Sequence, residues 1–300
     1  MRHHIKHRPE DKGLALLLRK LSARFAPEPP FHDRLGKKGV WTLFTHALRH
    51  RVTEISVQRP GIITPWRLAL VADLHAGGHA HDLKRLARIM ADVDALQPDA
   101  VLLLGDYMNM MGFGGGRIPP DAIAAILKFP QAKHGAFAVL GNHDWDYGFD
   151  VVRAALEGQG IQVLENQVTT LVRGSETLAL VGLSDDRCGK PDPSLIAHVP
   201  AGEAMVLLAH DPATFFDVPS GHLMVSGHMH GGQIRVPGML PLVVPAGRAP
   251  RRWAHGHIKE RGGDLIVSAG LGCSGLPIRI GIRPEIVMLT LLPPDAKEPV

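Results

Sequence analysis

The chain has 300 residues, 45% of them hydrophobic and 21% charged, which is enough apolar material for a large domain with a buried core. Two cysteines without CxxC spacing argue against a disulfide framework, and the lack of any apolar run of about 18 residues argues against a membrane span. The net charge of +4 is uneven, because residues 1–60 hold 13 of the 33 Lys and Arg but only 5 of the 29 Asp and Glu.

Residues 1–50 are predicted to form a basic N-terminal extension. Within Gly13–Phe25 the leucines and Phe25 share one helical face and the basic residues lie off it, which predicts a short amphipathic helix. Such a helix can pack on the domain or lie on an anionic membrane surface, and a solvated, partly disordered leader is a further interpretation. Because no signal-peptide pattern is present, we expect a cytoplasmic protein, peripheral on the inner membrane face if the helix binds lipid.

Residues 51–300 have the pattern of a second domain, in which short apolar runs alternate with amphipathic segments. Runs bounded by Gly, Asp or His are typical of buried strands. The order predicts an α/β fold of two packed sheets with helices outside, an αββα sandwich. The predicted strands are Leu68–Ala72, Val101–Leu104, Phe137–Leu140, Leu178–Val181, Met205–Leu208, Leu223–Val225, Leu265–Val267 and Ile286–Leu292, and the predicted helices are Leu83–Leu96, Asp121–Leu127 and Val151–Leu156.

Five of the predicted strands are followed directly by Asp, Asn or His. Ligands of open α/β sheets bind beyond the carboxyl ends of the strands, so we expect these side chains to converge on one rim. Carboxylate, amide and imidazole groups without thiolates favour divalent cations. Seven candidate ligands are more than one ion needs. If two ions share them, each ion has an incomplete set of protein ligands, which leaves room for water and substrate. They are Asp73, His75, Asp106, Asn142, His210, His228 and His230.

These motifs (D-x-H, G-D, G-N-H-D, a lone His after a strand, and G-H-x-H) occur in an order that resembles the calcineurin-like metallophosphoesterase family over about residues 51–292. Ser226–Pro237, Val267–Leu271 and Pro284–Leu292 further resemble a bacterial branch whose members are often membrane-associated. That branch includes phosphodiesterases and a hydrolase of UDP-2,3-diacylglucosamine, a lipid precursor.

The resemblance implies a role for each motif residue. Asp73, His75 and His230 would hold one ion, Asn142, His210 and His228 a second, and Asp106 would bridge them. The family uses Mn, Fe, Zn or Mg, and ligand type does not choose among these. His143 would stabilise the phosphoryl oxygens and protonate the leaving group, and Asp144 would orient His143.

Four other residues are candidates for substrate contact. Asn109 lies in the Met- and Gly-rich stretch Met108–Gly116, which is either a flexible loop or an apolar lip of the site. Arg251 and Arg252 could meet a substrate phosphate or could be solvated surface. His257 belongs to a second H-x-H with charged flanks, which we interpret as a substrate-side loop.

The function expected from these residues is hydrolysis of phosphodiester or pyrophosphate bonds by in-line attack of a metal-bound hydroxide. The substrate would be a small-molecule or lipid phosphoester. Alternatives are a UDP-2,3-diacylglucosamine-type pyrophosphatase at the inner membrane face, a metal-dependent nuclease, and a non-catalytic scaffold. A nucleic-acid partner is disfavoured, since the chain outside the extension is mildly acidic and carries no basic-aromatic stripe.

Overall fold

The computed structural model describes residues 49–78, 82–110, 117–236, 240–241, 244–245, 247–275 and 279–296. The predicted amphipathic helix and most of the basic extension lie outside these residues. Helices and strands alternate along the first half of the described chain. The strands are β1 Arg51–Gln58, β2 Trp66–Val71, β3 Ala100–Leu103, β4 Ala136–Ala138, β5 Gln162–Val163, β6 Gln167–Arg173, β7 Glu176–Leu183, β8 Ala204–Ala209, β9 Leu223–Ser226, β10 Gly256–Glu260, β11 Gly263–Val267 and β12 Glu285–Leu292; the helices are α1 Asp82–Ala95, α2 Pro120–Ala124 and α3 Asn142–Glu157.

The strands form two six-stranded sheets. The first has the order β1-β12-β2-β3-β4-β5 and the second the order β10-β11-β9-β8-β7-β6. Strands β2, β3, β4 and β5 are parallel to one another, and so are β7, β8, β9 and β11. Parallel strands end on the same side of a sheet, so each sheet gathers the residues that follow its strands along one rim.

The two sheets pack against each other through alternate residues of each strand. In β2, Trp66 and Leu68 lie in the core between the sheets, whereas Ala69 and Val71 lie in a second core beneath the helices. The outer face of the second sheet packs against segments that include Phe215 and the Trp253 indole. This layered burial holds the strand ends in fixed positions.

The predicted αββα architecture is confirmed, and the eight predicted strands are all present. One difference lies in the outer layer of the second sheet, where the described residues form 3₁₀ turns, such as Pro212–Phe216 and Arg251–Trp253, in place of α-helices. Helix α3 is longer than predicted, because it begins at the strand-end motif itself and continues past a break at Gly148. Among the described residues, no helix combines the length and apolar character that crossing a bilayer requires.

Candidate metal centre

The rims of the two sheets face each other, and the predicted ligands meet there in two groups. Within each group the ligand atoms lie within 4.8 Å of one another, and Asp106 belongs to both. The first sheet supplies Asp73, His75 and Asp106 from the ends of β2 and β3, and the second supplies the histidines that follow β8 and β9. The first group is Asp73, His75, Asp106 and His230, and the second is Asp106, His210 and His228.

Asp106 lies between the two groups. Its Oδ2 is 3.3 Å from His210 Nε2 and 3.6 Å from His75 Nε2, while its Oδ1 accepts the backbone N–H of His143 at 2.8 Å. Burial raises the pKa of Asp106, but the neighbouring imidazoles, His210 first, outweigh burial and bring this pKa well below its usual value. A carboxylate in this position is ionised and can be shared by two cations.

Two pairs of imidazoles bring ring nitrogens face to face. His75 Nε2 is 3.0 Å from His230 Nε2, and His210 Nε2 is 3.1 Å from His228 Nδ1. Backbone carbonyls fix two of the tautomers, since His75 Nδ1 is 3.2 Å from Met108 O and His210 Nδ1 is 2.7 Å from Leu104 O. A carbonyl can only accept, so Nδ1 carries the hydrogen and Nε2 turns toward the group, as in metal-bound histidines.

Burial keeps three of these imidazoles neutral. It lowers the pKa of His75 to about 3, and it lowers the pKa of His228 and of His230 well below the usual value. Neutral imidazole is the form that binds a cation. Burial also lowers the pKa of His210, but Asp106 outweighs burial and holds this pKa well above its usual value. Because a protonated His210 would repel a cation bound to Asp106, protonation of His210 competes with binding of that cation.

Asn142, the remaining candidate ligand, is the first residue of α3. The residue before it, Gly141, packs so closely on Asp106 that a Cβ there would lie 2.3 Å from Asp106 Oδ1. The Asn142 Oδ1 atom is buried and has no hydrogen-bond partner among the described residues. A buried amide oxygen costs free energy unless something binds it, and a cation would do so.

His143 is the most open imidazole of the set. Its side chain is 19% exposed, and its Nε2 lies 3.9 Å from Asp106 Oδ2. The ring stands edge-on to that of His75, with centroids 4.9 Å apart. This position, beside the shared carboxylate but open to solvent, suits the substrate-facing role predicted for it.

The contacts of Asp144 indicate a role that the sequence did not predict. Its carboxylate accepts four backbone N–H groups, those of Gly141, Asp106, Tyr107 and Met108, at 2.8–3.1 Å. As the third residue of α3, it points back over the helix start and reaches the loop after β3. These bonds tie Asp106 to the start of α3, so Asp144 positions the loop that holds the shared ligand and acts on His143 through the backbone.

The backbone of the ligands is itself unusual. Asp73, His75, Asp106, His228 and His230 all have left-handed backbone, with φ between 40° and 68°. Residues other than glycine adopt this region at a cost and only where the surroundings impose it. Five such residues in one cluster indicate a constellation built for a ligand.

The donor set fits divalent cations. Burial raises the pKa of the candidate ligand Asp73 to about 7. Burial also raises the pKa of two carboxylates that are not candidate ligands, that of Asp144 to about 8 and that of Asp185 to about 6. Buried carboxylates with few compensating charges are costly, and bound cations remove that cost. Together with the unsatisfied Asn142 Oδ1 and the facing ring nitrogens, these groups describe a site for hard-to-borderline metals.

The four residues predicted to contact substrate are spread more widely than the candidate ligands. Asn109 is buried one residue beyond Met108, whose carbonyl contacts His75, so it lies near the first group. The Arg252 guanidinium is bound by Glu260 at 2.8 Å, and Arg251 Nη1 donates to Pro241 O at 3.2 Å. His257 lies on strand β10 rather than in the predicted loop, and its Nε2 is 2.6 Å from Asp264 Oδ1. Arg251, Arg252 and His257 belong to neither group.

Two supporting residues were not predicted. Asp211 caps the following 3₁₀ turn through Ala213 N–H, and its Oδ2 lies 3.7 Å from His228 Nε2. Arg279 is fully buried and donates to Gly272 O at 2.8 Å and to His230 O at 3.3 Å. Asp211 could have been found, because it adjoins a predicted ligand. Arg279 lies in no motif, and its role depends on chain segments far apart.

Comparison with known proteins bears on these residues. The family model described as calcineurin-like phosphoesterase matches residues 67–232, a stretch that contains all seven candidate ligands. Phosphodiesterase YaeI of Escherichia coli K12 is 30% identical over 242 residues, which is 76% of this chain and 83% of that protein. The metallophosphoesterase YkuE of Bacillus subtilis 168 is 27% identical over 239 residues, 75% of this chain and 79% of that protein. Among solved structures, the NAD nucleotidase of Haemophilus influenzae aligns with a TM-score of 0.45 and 15% identity over 69% of this chain and 46% of that one.

Proposed function

The chain belongs to the calcineurin-like phosphoesterase family and is a metal-dependent phosphoesterase, and from this we propose that it hydrolyses phosphodiester or pyrophosphate bonds at the paired groups joined by Asp106. The observation that carries the proposal is the sharing of one buried, ionised carboxylate between two sets of imidazoles. A shared carboxylate is the arrangement that holds two cations side by side.

We assign the ligands from the two groups and, for Asn142, from the family resemblance. Asp73, His75 and His230 would hold one ion, Asn142, His210 and His228 the other, with Asp106 between them. When bound, two such ions polarise the phosphoryl oxygens and lower the pKa of a water molecule, which is the chemistry of in-line displacement at phosphorus.

His143 is the residue of the chain that we expect to touch the reacting group. Its partly exposed imidazole can donate a hydrogen bond to a phosphoryl oxygen and can protonate the departing alkoxide. Its backbone N–H is held by Asp106 Oδ1, so its main chain is fixed relative to the shared carboxylate. Asp144 contributes by holding that carboxylate in place.

The preference for diesters or pyrophosphates over monoesters is supported by the name of the relative YaeI, a phosphodiesterase. A small-molecule or lipid phosphoester is the proposed substrate class, and a UDP-2,3-diacylglucosamine-type substrate is the specific lipid alternative. Residues 1–50 would then hold the enzyme on an anionic membrane surface. A nuclease is less well supported, because the chain outside the basic extension is mildly acidic.

The test starts from the full chain freed of metal and reconstituted separately with Mn²⁺, Fe²⁺, Zn²⁺ and Mg²⁺. We expect at least one ion to give turnover of bis-p-nitrophenyl phosphate, and Asp106→Asn to abolish it. Asp92→Asn, which changes a carboxylate that is 58% exposed and paired only with His50 in the described residues, serves as the matched control. Absence of metal-dependent turnover with any of the four ions, or an unaffected Asp106→Asn variant, would overturn the proposal.

A further inference from the structure

The loop from Ser184 to Asp192 follows β7 on the same rim as the two ligand groups. Strands β7 and β8 are parallel, and Leu183 pairs with Ala209, so the loop starts beside His210. The sequence of the loop, SDDRCGKPD, matches none of the motifs that predicted the ligands. Its position at a sixth strand end nevertheless places it against the second group.

Hydrogen bonds hold this loop in one shape. Asp185 Oδ1 accepts the backbone N–H groups of Arg187 and Cys188, both at 2.9 Å. Asn166 Oδ1 accepts from Ser184 N–H at 3.1 Å and from Asp192 N–H at 3.0 Å, so one amide closes both ends of the loop. A loop fixed in this way holds the backbone of Arg187, near its centre, in one position on the rim.

Arg187 is half-buried, yet it forms no ion pair with any residue in the part of the chain that the structure describes. The carboxylate next to it is already engaged, because Asp186 Oδ1 lies 2.6 Å from Arg248 Nη2. This bond sets the loop beside the second group, because a Cβ on Gly247, the neighbour of Arg248, would lie 3.7 Å from Asp211 Oδ2, and Asp211 Oδ2 lies 3.7 Å from His228 Nε2.

A guanidinium that has no ion pair among the described residues, on a loop beside a site for two dications, would be stabilised by an anion lying between it and the ions. Arginine binds phosphate through two parallel N–H donors, which makes an oxyanion of phosphorus the matching ligand. We propose that Arg187 binds non-bridging phosphoryl oxygens of the substrate next to the second group. This assignment rests on the proposed phosphoesterase function and adds to it a residue that selects substrates by their phosphoryl charge.

The experiment compares wild type with Arg187→Met and Arg187→Lys as metal-loaded full-length proteins. KM and kcat are measured for bis-p-nitrophenyl phosphate and for a pyrophosphate diester, together with the inhibition constant of inorganic phosphate. We expect Arg187→Met to raise KM for at least one substrate, and the inhibition constant, about ten- to a hundredfold. Arg187→Lys should fall between, because it keeps the charge but loses the paired donors.

Lys190→Met is the matched control, since it removes the same charge from an exposed position of the same loop. It should leave KM and phosphate inhibition unchanged, and all variants should bind as much metal as wild type. An Arg187→Met enzyme whose KM for both substrates and whose phosphate inhibition stay within twofold of wild type would overturn the assignment. If wild type itself shows no turnover, the proposed function fails, and calorimetric titration of the metal-loaded proteins with inorganic phosphate still tests Arg187.

Discussion

The carboxylate of Asp144 accepts the backbone N–H of Asp106 at 2.8 Å, so a residue outside the ligand set fixes the residue that both groups share. The same carboxylate also binds the N–H groups of Gly141, Tyr107 and Met108. It thus joins the loop after β3 to the start of α3, and with them the two motifs that supply Asp106, Asn142 and His143.

Replacing Asp144 with Asn should therefore disturb the centre without removing a ligand. The amide nitrogen would face backbone donors, and each buried donor left unsatisfied costs about 1–3 kcal/mol. We expect lower stability to urea and a fall in kcat of at least about tenfold. Asp150→Asn, an exposed change on the same helix, is the control, and an Asp144→Asn enzyme with wild-type kcat and stability would contradict the positioning role.

Asp211 supports His228 from the side opposite the second group. Its Oδ2 is 3.7 Å from His228 Nε2, while His228 Nδ1 faces His210. Carboxylates behind metal-binding histidines typically raise metal affinity about 10–100-fold. Asp211→Asn should keep the cap on Ala213 N–H, because Asn caps as well as Asp. It should weaken the binding of one of the two ions about 10–100-fold. Competition with a chelator measures it, and Asp217→Asn, at the end of the same 3₁₀ turn, should show no change.

Gly141 tests how closely α3 approaches the shared ligand. Its φ of −94° suits any residue, so the obstacle to a side chain is Asp106. A Cβ would lie 2.3 Å from Asp106 Oδ1 and 2.6 Å from the Asp106 backbone nitrogen. We expect Gly141→Ala to displace Asp106 and to reduce bound metal below two ions per chain, as measured by elemental analysis. Gly158→Ala, at the other end of α3, should bind metal normally. Full metal occupancy in Gly141→Ala would show that the centre tolerates a shift of this residue.

Glu176 lies outside the two ligand groups and contributes to the stability of the fold at low pH. Burial raises its pKa, but hydrogen bonds from Ile63, Arg173 and Thr64 outweigh burial and bring the pKa to about 2, against 4.5 for a free Glu. Because the folded-state pKa is the lower one, this stabilisation is complete above about pH 4.5 and is lost as pH falls toward 2. It amounts to at most about 3 kcal/mol.

Urea unfolding of the metal-free protein between pH 6 and pH 3 should show this loss in wild type and a shallower dependence in Glu176→Gln. Working without metal removes the contribution of proton competition at the ligands. Glu157→Gln, which alters an exposed pair with Arg153, should retain the wild-type slope. Equal slopes for wild type and Glu176→Gln would mean that other carboxylates cause the loss of stability at low pH.

The proposed binding of residues 1–50 to an anionic membrane surface can be tested with liposomes. Deleting residues 1–50 should reduce binding to liposomes that contain anionic lipid, because it removes most of the surplus positive charge and the predicted amphipathic helix. Co-sedimentation with neutral liposomes is the control for lipid binding in general, and kcat on a soluble diester should be retained. Unchanged binding to anionic vesicles would leave the extension without a membrane role.

Sequence patterns predicted the inner strands and the ligands but not the edges of the sheets. The four strands that escaped prediction, β1, β5, β6 and β10, are the outermost strands of the two sheets. An edge strand is partly exposed, as the half-exposed residues of β1 illustrate, and therefore lacks the continuous apolar run of a strand buried on both faces. His257 was assigned to a loop for the same reason, because it lies on β10.

The ligands were accessible from sequence because each follows a strand directly, so local order along the chain carries the information. The contacts of Asp144 and Arg279 were not, because their partners are distant in sequence. Asp144 binds residues 36–38 positions earlier, and Arg279 contacts His230, 49 positions away. Nothing in a single sequence specifies which buried polar groups will meet across two sheets.

The division of each ligand group between the two sheets has a consequence for folding. His75 and His230 lie 155 residues apart in the chain and 3.0 Å apart at their Nε2 atoms. Neither ion can therefore acquire its full set of ligands until both sheets have formed and docked, a slow step because it depends on distant contacts. Tight metal binding would then come late in folding and would stabilise the docked state by mass action. In a cell, supply of metal would determine what fraction of the folded chains stays docked and thereby protected from proteases.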